Sequence, residues 1–183
     1  MTFLAHVAAL VTVAVFAAHT AAPAFTLTSP AFQSNHVIPH QYSYSGYGCN
    51  GRNASPELDW RAGPSGIKTF ALTVFDSDAM AGRGWWHWVV FNIPAGVHRL
   101  QAGAGTGSGE LMPRGAVQGR NDFQTVGYGG PCPPSGTHHY HFTLYALDEQ
   151  VDGLSPLASG PTLLAAIRGH VLAKTELVGL FSK

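Results

Sequence analysis

Ile67-Lys68-Thr69-Phe70-Ala71-Leu72-Thr73-Val74-Phe75, running directly into Asp76-Ser77-Asp78-Ala79, is the stretch that decides the fold. Phe70, Leu72 and Val74 alternate with Ala71, Thr73 and Phe75. Period-two spacing in a β-branched and aromatic run reads as a core strand, and the polar tetrapeptide after it reads as the strand's end. Two further runs repeat the pattern. Trp86 to Ile93 is apolar and stops at Pro94, and His139 to Leu147 places Tyr140, Phe142, Leu144 and Ala146 on one face with His139, His141, Thr143 and Tyr145 on the other. Ser55-Pro56-Glu57-Leu58-Asp59-Trp60 reads as a turn entering a short strand with Leu58 and Trp60 inward. Turn-rich segments separate these runs at Ser43–Asn53, Gly63–Gly66, Ala102–Gly109 and Gly127–Gly136. The one helical signal is C-terminal. Pro161 suits a first turn, and Leu163, Leu164, Ile167, Val171, Leu172 and Leu177 recur at helical spacing until Gly179. The expectation is a mainly β chain with a C-terminal helix, one domain and no repeat.

Composition narrows the class. At 183 residues and 45% hydrophobic content the chain can build a sizeable core. Only 11% of residues are charged and the formal net charge is zero, which leaves no footprint for nucleic acid or for anionic lipid surfaces. No Asp, Glu, Lys or Arg occurs in the first fifty residues, where Val7 to Ala18 is apolar apart from Thr12. That run has the length of a signal-peptide core, and Ala22-Pro23-Ala24 supplies a small-x-small cleavage pattern. Residues 1–24 are therefore expected to be a signal peptide and 25–183 the folded domain, periplasmic or secreted, without stable membrane insertion. The n-region carries His6 but no Lys or Arg, so an uncleaved N-terminal anchor is the alternative. In an oxidising compartment Cys49 and Cys132 are expected to pair, closing a loop of about eighty residues; two buried thiols are the alternative.

Chemistry concentrates in two places: Asp76-Ser77-Asp78 running on to Trp86-His87-Trp88, and Gly130-Pro131-Cys132-Pro133-Pro134 running on to His138-His139-Tyr140. Two neighbouring carboxylates resist joint ionisation unless a donor or imidazolium answers them, and His87 is a candidate for that answer. The plainer reading is that one Asp caps a turn. By strand parity His138 and Tyr140 share the buried face with Phe142, and enter a pocket more readily than His139. A zinc site built from His87, His139 and His141 is the rival arrangement, weakly specified by spacing alone. The glycines at 103, 105, 107 and 109 lack the strand–helix setting of a dinucleotide cradle, and no nucleophile-elbow pattern occurs.

The succession Ser55-Pro56-x-Leu58-x-Trp60, Asp76-x-Asp78-Ala79, His87-Trp88-Val89-Val90-x-Asn92-Ile93-Pro94, Gly130-Pro131-Cys132-Pro133-Pro134-x-Gly136 and His138-x-Tyr140-x-Phe142 resembles the phosphatidylethanolamine-binding protein family, in its bacterial Raf-kinase-inhibitor-like branch. The likeness runs from about Phe25 to Phe181. It implies a β-sandwich on a central antiparallel sheet, with short peripheral helices and a small anion pocket at one end. Carried over position by position, the pocket falls on Asp76, Asp78, His87, His138 and Tyr140, with Pro133 and Pro134 at the rim. The resemblance implies a ligand such as phosphate, acetate or a phospholipid headgroup, no cofactor, and an exported binding protein or a modulator of another protein. Acid–base catalysis by the Asp/His pocket is the alternative it leaves open. Met80 departs from the proline frequent after Asp-x-Asp-Ala, and His139 from a common Arg.

Overall fold

The structure, a computed structural model, describes residues 24–61 and 63–183. The expected signal segment lies outside these residues except for Ala24. Among the described residues eleven strands, two short α-helical segments and one 3-10 turn (His40–Tyr42, between β2 and β3) follow in chain order: β1 (Thr26–Thr28), β2 (His36–Val37), β3 (Ser45–Gly46), β4 (Cys49–Asn50), β5 (Leu58–Arg61), β6 (Thr69–Asp76), α1 (Ala79–Gly82), β7 (Trp85–Pro94), β8 (Arg99–Leu100), β9 (Val117–Gln118), β10 (Thr137–Leu147), α2 (Gly160–Ala166) and β11 (Val171–Ser182). The alternating runs became the central strands β6, β7 and β10. A six-stranded sheet has the order β2-β11-β10-β6-β7-β9, antiparallel except where β2 joins β11 in parallel at one edge. Against one face lies a three-stranded sheet, β1-β5-β8. Leu27, Leu58 and Trp60 from the small sheet meet Phe70, Leu72, Val74, Val90, Phe142 and Leu144 from the large one in a single apolar core. Alternation on each strand therefore buries one side in the sandwich.

On the opposite face of the large sheet, α2 lays Leu163 and Ile167 against Ala71, Val89, Phe91 and Leu147. Its start matches the sequence signal, since Ser159 caps the helix by accepting from Thr162 N–H and Pro161 occupies the first turn. Its length does not. The expected continuation through Leu177 is instead β11, twelve residues paired along β10 from Thr137↔Ser182 to Leu147↔Val171. After Ile167 the chain reverses through Gly169, at φ 92°, a left-handed conformation that costs glycine nothing. Leu177, Gly179 and Phe181 then face inward at period two. A helix there would satisfy its own backbone but leave the whole edge of β10 without partners, which is the larger loss.

Candidate functional site

Three strand segments converge at one end of the sandwich. Antiparallel register sets Tyr140 of β10 opposite Asp76, the last residue of β6, and sets Asp76 opposite Trp85 of β7. Between Val74 and Phe75 the β6–β7 ladder slips, so that Trp86 and Trp88 face consecutive residues of β6 and His87 is the extra residue of a bulge. A bulge turns neighbouring side chains to one side. Trp88 and His87 are thus both buried, the first in the core and the second at the site.

Asp76 ties the corner together. Its Oδ1 accepts from the N–H groups of Asp78 (2.9 Å) and Ala79 (3.1 Å), and its Oδ2 accepts from His138 Nδ1 at 2.8 Å. Turn-capping and site-building are here done by one carboxylate. Asp78 is more exposed, and its Oδ2 accepts from His139 N (2.7 Å) and His139 Nδ1 (2.9 Å). Partial burial works to raise the Asp78 pKa, but these His139 bonds and charges outweigh it and hold the carboxyl below its ordinary value. The imidazoles that answer the acidic pair are therefore His138 and His139, and the expected partner His87 is committed elsewhere. Behind Asp78 the α1 turn is left-handed at Met80 (φ 53°, ψ 41°) and Ala81 (φ 58°, ψ 43°). Proline, fixed at negative φ, does not fit that geometry at position 80.

His87 Nδ1 donates to Gly129 O at 2.6 Å, and Gly129 N–H returns a bond to His87 O at 2.8 Å. Burial lowers the His87 pKa, against the opposing pull of that carbonyl and of Asp76. The ring is consequently neutral, with its lone pair on Nε2. It packs edge-on against Tyr140 and Phe123, with centroids 5.1 and 5.3 Å away. The Tyr140 phenol is fully buried, and burial, with Asp76 adding to it, pushes its pKa far up. Among the described residues its hydroxyl meets no partner in hydrogen-bond geometry, and neither does the indole N–H of Trp85.

These groups surround a cavity of about 430 Å³. Asp76, Asp78, His87, Pro133, Pro134, His138 and Tyr140 all line it, so every residue carried over from the resemblance is brought to one place. Sequence reasoning missed much of the wall: Tyr47, Trp85 and Phe123. Phe123 stacks on Tyr44 at 4.4 Å and is held near the cavity because Asp122 Oδ2 accepts from Trp86 N–H at 2.8 Å. No spacing signal marks a loop phenylalanine of this kind. The Gly130–Pro134 segment closes the remaining side. Gly130 runs so close to the 42–44 backbone that a Cβ would stand 2.4 Å from Tyr42 O. Cys132 is bonded to Cys49 as expected, with Cα atoms 6.0 Å apart. His139 and His141 do not join His87; among the described residues no three His, Cys, Asp or Glu side chains come together as a metal site.

The family model described as phosphatidylethanolamine-binding protein matches residues 28–182. The chain belongs to that family. Members similar to it include YbcL of Escherichia coli K12, 42% identical over 162 residues that span 87% of this chain and 88% of YbcL. A protein of Methanothermobacter thermautotrophicus is 45% identical over 157 residues, 86% of this chain and 98% of its own. The crystal structure of E. coli YbcL, described as a new member of the mammalian family, superposes with a TM-score of 0.83 at 41% identity, over 87% of this chain and 98% of that one. A family homolog from Chlamydia trachomatis gives 0.75 at 35%, over 87% and 98%. Fold and family membership thus agree with the resemblance read from the motifs.

Proposed function

We propose that the cavity receives the oxyanionic end of a small ligand, a phosphate or a phospholipid headgroup, and holds it without turnover. The observation that carries this reading is one cavity lined by His87, His138 and Tyr140, whose buried hydroxyl stands by Asp76 with no partner in good hydrogen-bond geometry among the described residues. Leaving such a group unpaired costs about 1–3 kcal/mol, which an incoming oxygen recovers. Family membership supports a headgroup as the source of that oxygen.

His87 sets the terms of binding. Its Nδ1–H is spent on Gly129, so a neutral ring offers an anion only a lone pair. The proton must arrive with the ligand, as on hydrogen phosphate, or be taken from solvent. Free His87 has a pKa below its ordinary 6.5, and a bound anion raises it. The complex then holds more protons than the free protein, so affinity rises as pH falls beneath that ordinary value. Asp76 and Asp122, the charges facing the ring, favour the same imidazolium. In an NMR titration, phosphoethanolamine is expected to shift the His87 and His138 ring signals. Sulfate, which brings no proton, is expected to bind up to about tenfold more tightly per pH unit of acidification. Unmoved imidazole signals at millimolar ligand would remove the assignment, and a pH-independent sulfate affinity would remove the protonation step.

We also propose that the chain is exported, with Phe25 as its first mature residue. The Cys49–Cys132 bond supports an oxidising compartment, and among the described residues no helix is long and apolar enough to cross a membrane. The N-terminal residue of protein recovered outside the cytoplasm, read by mass spectrometry, checks this; an intact Met1 there would contradict it.

A further inference from the structure

The outer face of the large sheet is only half covered. α2 packs over Ala71, Val89, Phe91 and Leu147, and beyond the helix the same face continues as an open depression of about 280 Å³. Phe75 and Trp86 form its apolar wall, their rings 4.5 Å apart, and Ser77, His141 and Glu176 line it as well. Ser77 Oγ lies 3.2 Å from His141 Nε2, and His141 Nδ1 lies 3.3 Å from Glu176 Oε2. Register produces this line. His141 stands opposite Phe75 on one side and Val178 on the other, so Ser77 and Glu176 are its same-face diagonal neighbours on the flanking strands. Thr143 Oγ1 donates to the other oxygen of Glu176 at 3.1 Å and holds the carboxylate in place.

We propose that Ser77, His141 and Glu176 form a nucleophile–base–carboxylate relay that lets activated esters acylate Ser77, in a site separate from the cavity on the inner face. Glu176 Oε2, 3.3 Å from Nδ1 though off hydrogen-bond geometry, favours by its charge the tautomer with a proton on Nδ1 and a lone pair on Nε2, and that lone pair accepts the Ser77 hydroxyl hydrogen. These are the atoms and the order that an activated serine requires, at the looser distances usual before a substrate is bound. Ser77 Oγ forms a bond to the ester's carbonyl carbon as its proton passes to His141 Nε2. The carbon–oxygen bond to the leaving group then breaks, and His141 returns the proton to the departing oxygen. Acyl-serine and a free alcohol or phenol are the products. Water attacks the acyl-serine by the same route in reverse, releasing a carboxylic acid. The Ser77 N–H donates to His139 O at 3.2 Å, so it is not available to a developing oxyanion. Catalysis therefore relies on a good leaving group, and the acyl-serine accumulates rather than turning over quickly. Short acyl groups carried on aryl leaving groups suit the Phe75 and Trp86 wall.

With the full chain and p-nitrophenyl acetate, the expected result is a stoichiometric burst of nitrophenol and an acetyl group located on Ser77 by peptide mass spectrometry. Ser77→Ala abolishes the burst, and His141→Gln slows it on the order of a hundredfold. Glu176→Gln slows it less, and Asp148→Asn, remote from the depression, leaves it unchanged. Acetylation scattered over lysines and other serines of the unmodified sequence, with none concentrated on Ser77, overturns the proposal whatever the variants do. So does a folded His141→Gln protein that acylates Ser77 at the parent rate.

Discussion

Asp76→Ala is expected to lower stability by roughly 3 kcal/mol and to abolish ligand binding, because one buried carboxylate holds three donors. The Asp76 side chain is 4% exposed and accepts from Asp78 N, Ala79 N and His138 Nδ1. Alanine leaves the backbone N–H groups of Asp78 and Ala79, at the entry to the α1 turn, without acceptors, and leaves the His138 ring unanchored at the cavity. In a domain of this size each kcal/mol corresponds to about 2–4 °C of melting temperature, so calorimetry should find a fall of roughly ten degrees. Asp76→Asn separates the two duties. Its carbonyl oxygen can still cap the turn, while the charge facing His138 is gone, so a smaller loss of stability with the same loss of binding is expected. A melting temperature within a degree or two of the parent for Asp76→Ala would show that the corner is held by something else.

Reduction of Cys49–Cys132 is expected to have an effect of similar size by a different route. The bond joins residues 83 apart in sequence, and the chain-entropy account assigns about 4–5 kcal/mol to a loop of that length as an upper figure. It also fastens the β3–β4 hairpin, whose turn carries Tyr47 to the cavity, to the segment that supplies Pro133 and Pro134. Stability and binding should therefore fall together. Urea unfolding with and without reductant reads the first, as a midpoint lowered by about 2 M if the slope is near 2 kcal/mol per molar. Sulfate affinity under the same two conditions reads the second. An unchanged midpoint after complete thiol release would mean that the sandwich core alone sets stability.

Much of this protein is legible along the chain because its strands are long and regular. Phe70, Leu72 and Val74, and likewise Tyr140, Phe142, Leu144 and Ala146, announce their buried faces by alternation, and all seven are at most 1% exposed. Pro161 marks the start of α2, and the motif succession carries the family. What failed to show did so for particular reasons. Val171 to Phe181 satisfies both a helical and a strand period, and the unpaired edge of β10, remote in sequence, decides between them. His87 and Trp88 are adjacent, so parity assigns them to opposite faces; a bulge against β6 turns both inward. Phe123 has no local signature at all.

By itself, then, the sequence determined that β6, β7 and β10 are strands, which faces of β6 and β10 are apolar, the two cysteines available to each other and the family to which the pocket residues belong. Those properties follow from the order of side chains on one strand at a time. Tertiary structure alone decided the pairings: His138 rather than His87 on Asp76, and Ser77 and Glu176 on either side of His141. The physical reason is that hydrogen-bond register between strands, set by the core and by bulges, fixes which distant side chains share a face, and register is a property of pairs of segments that no single segment carries.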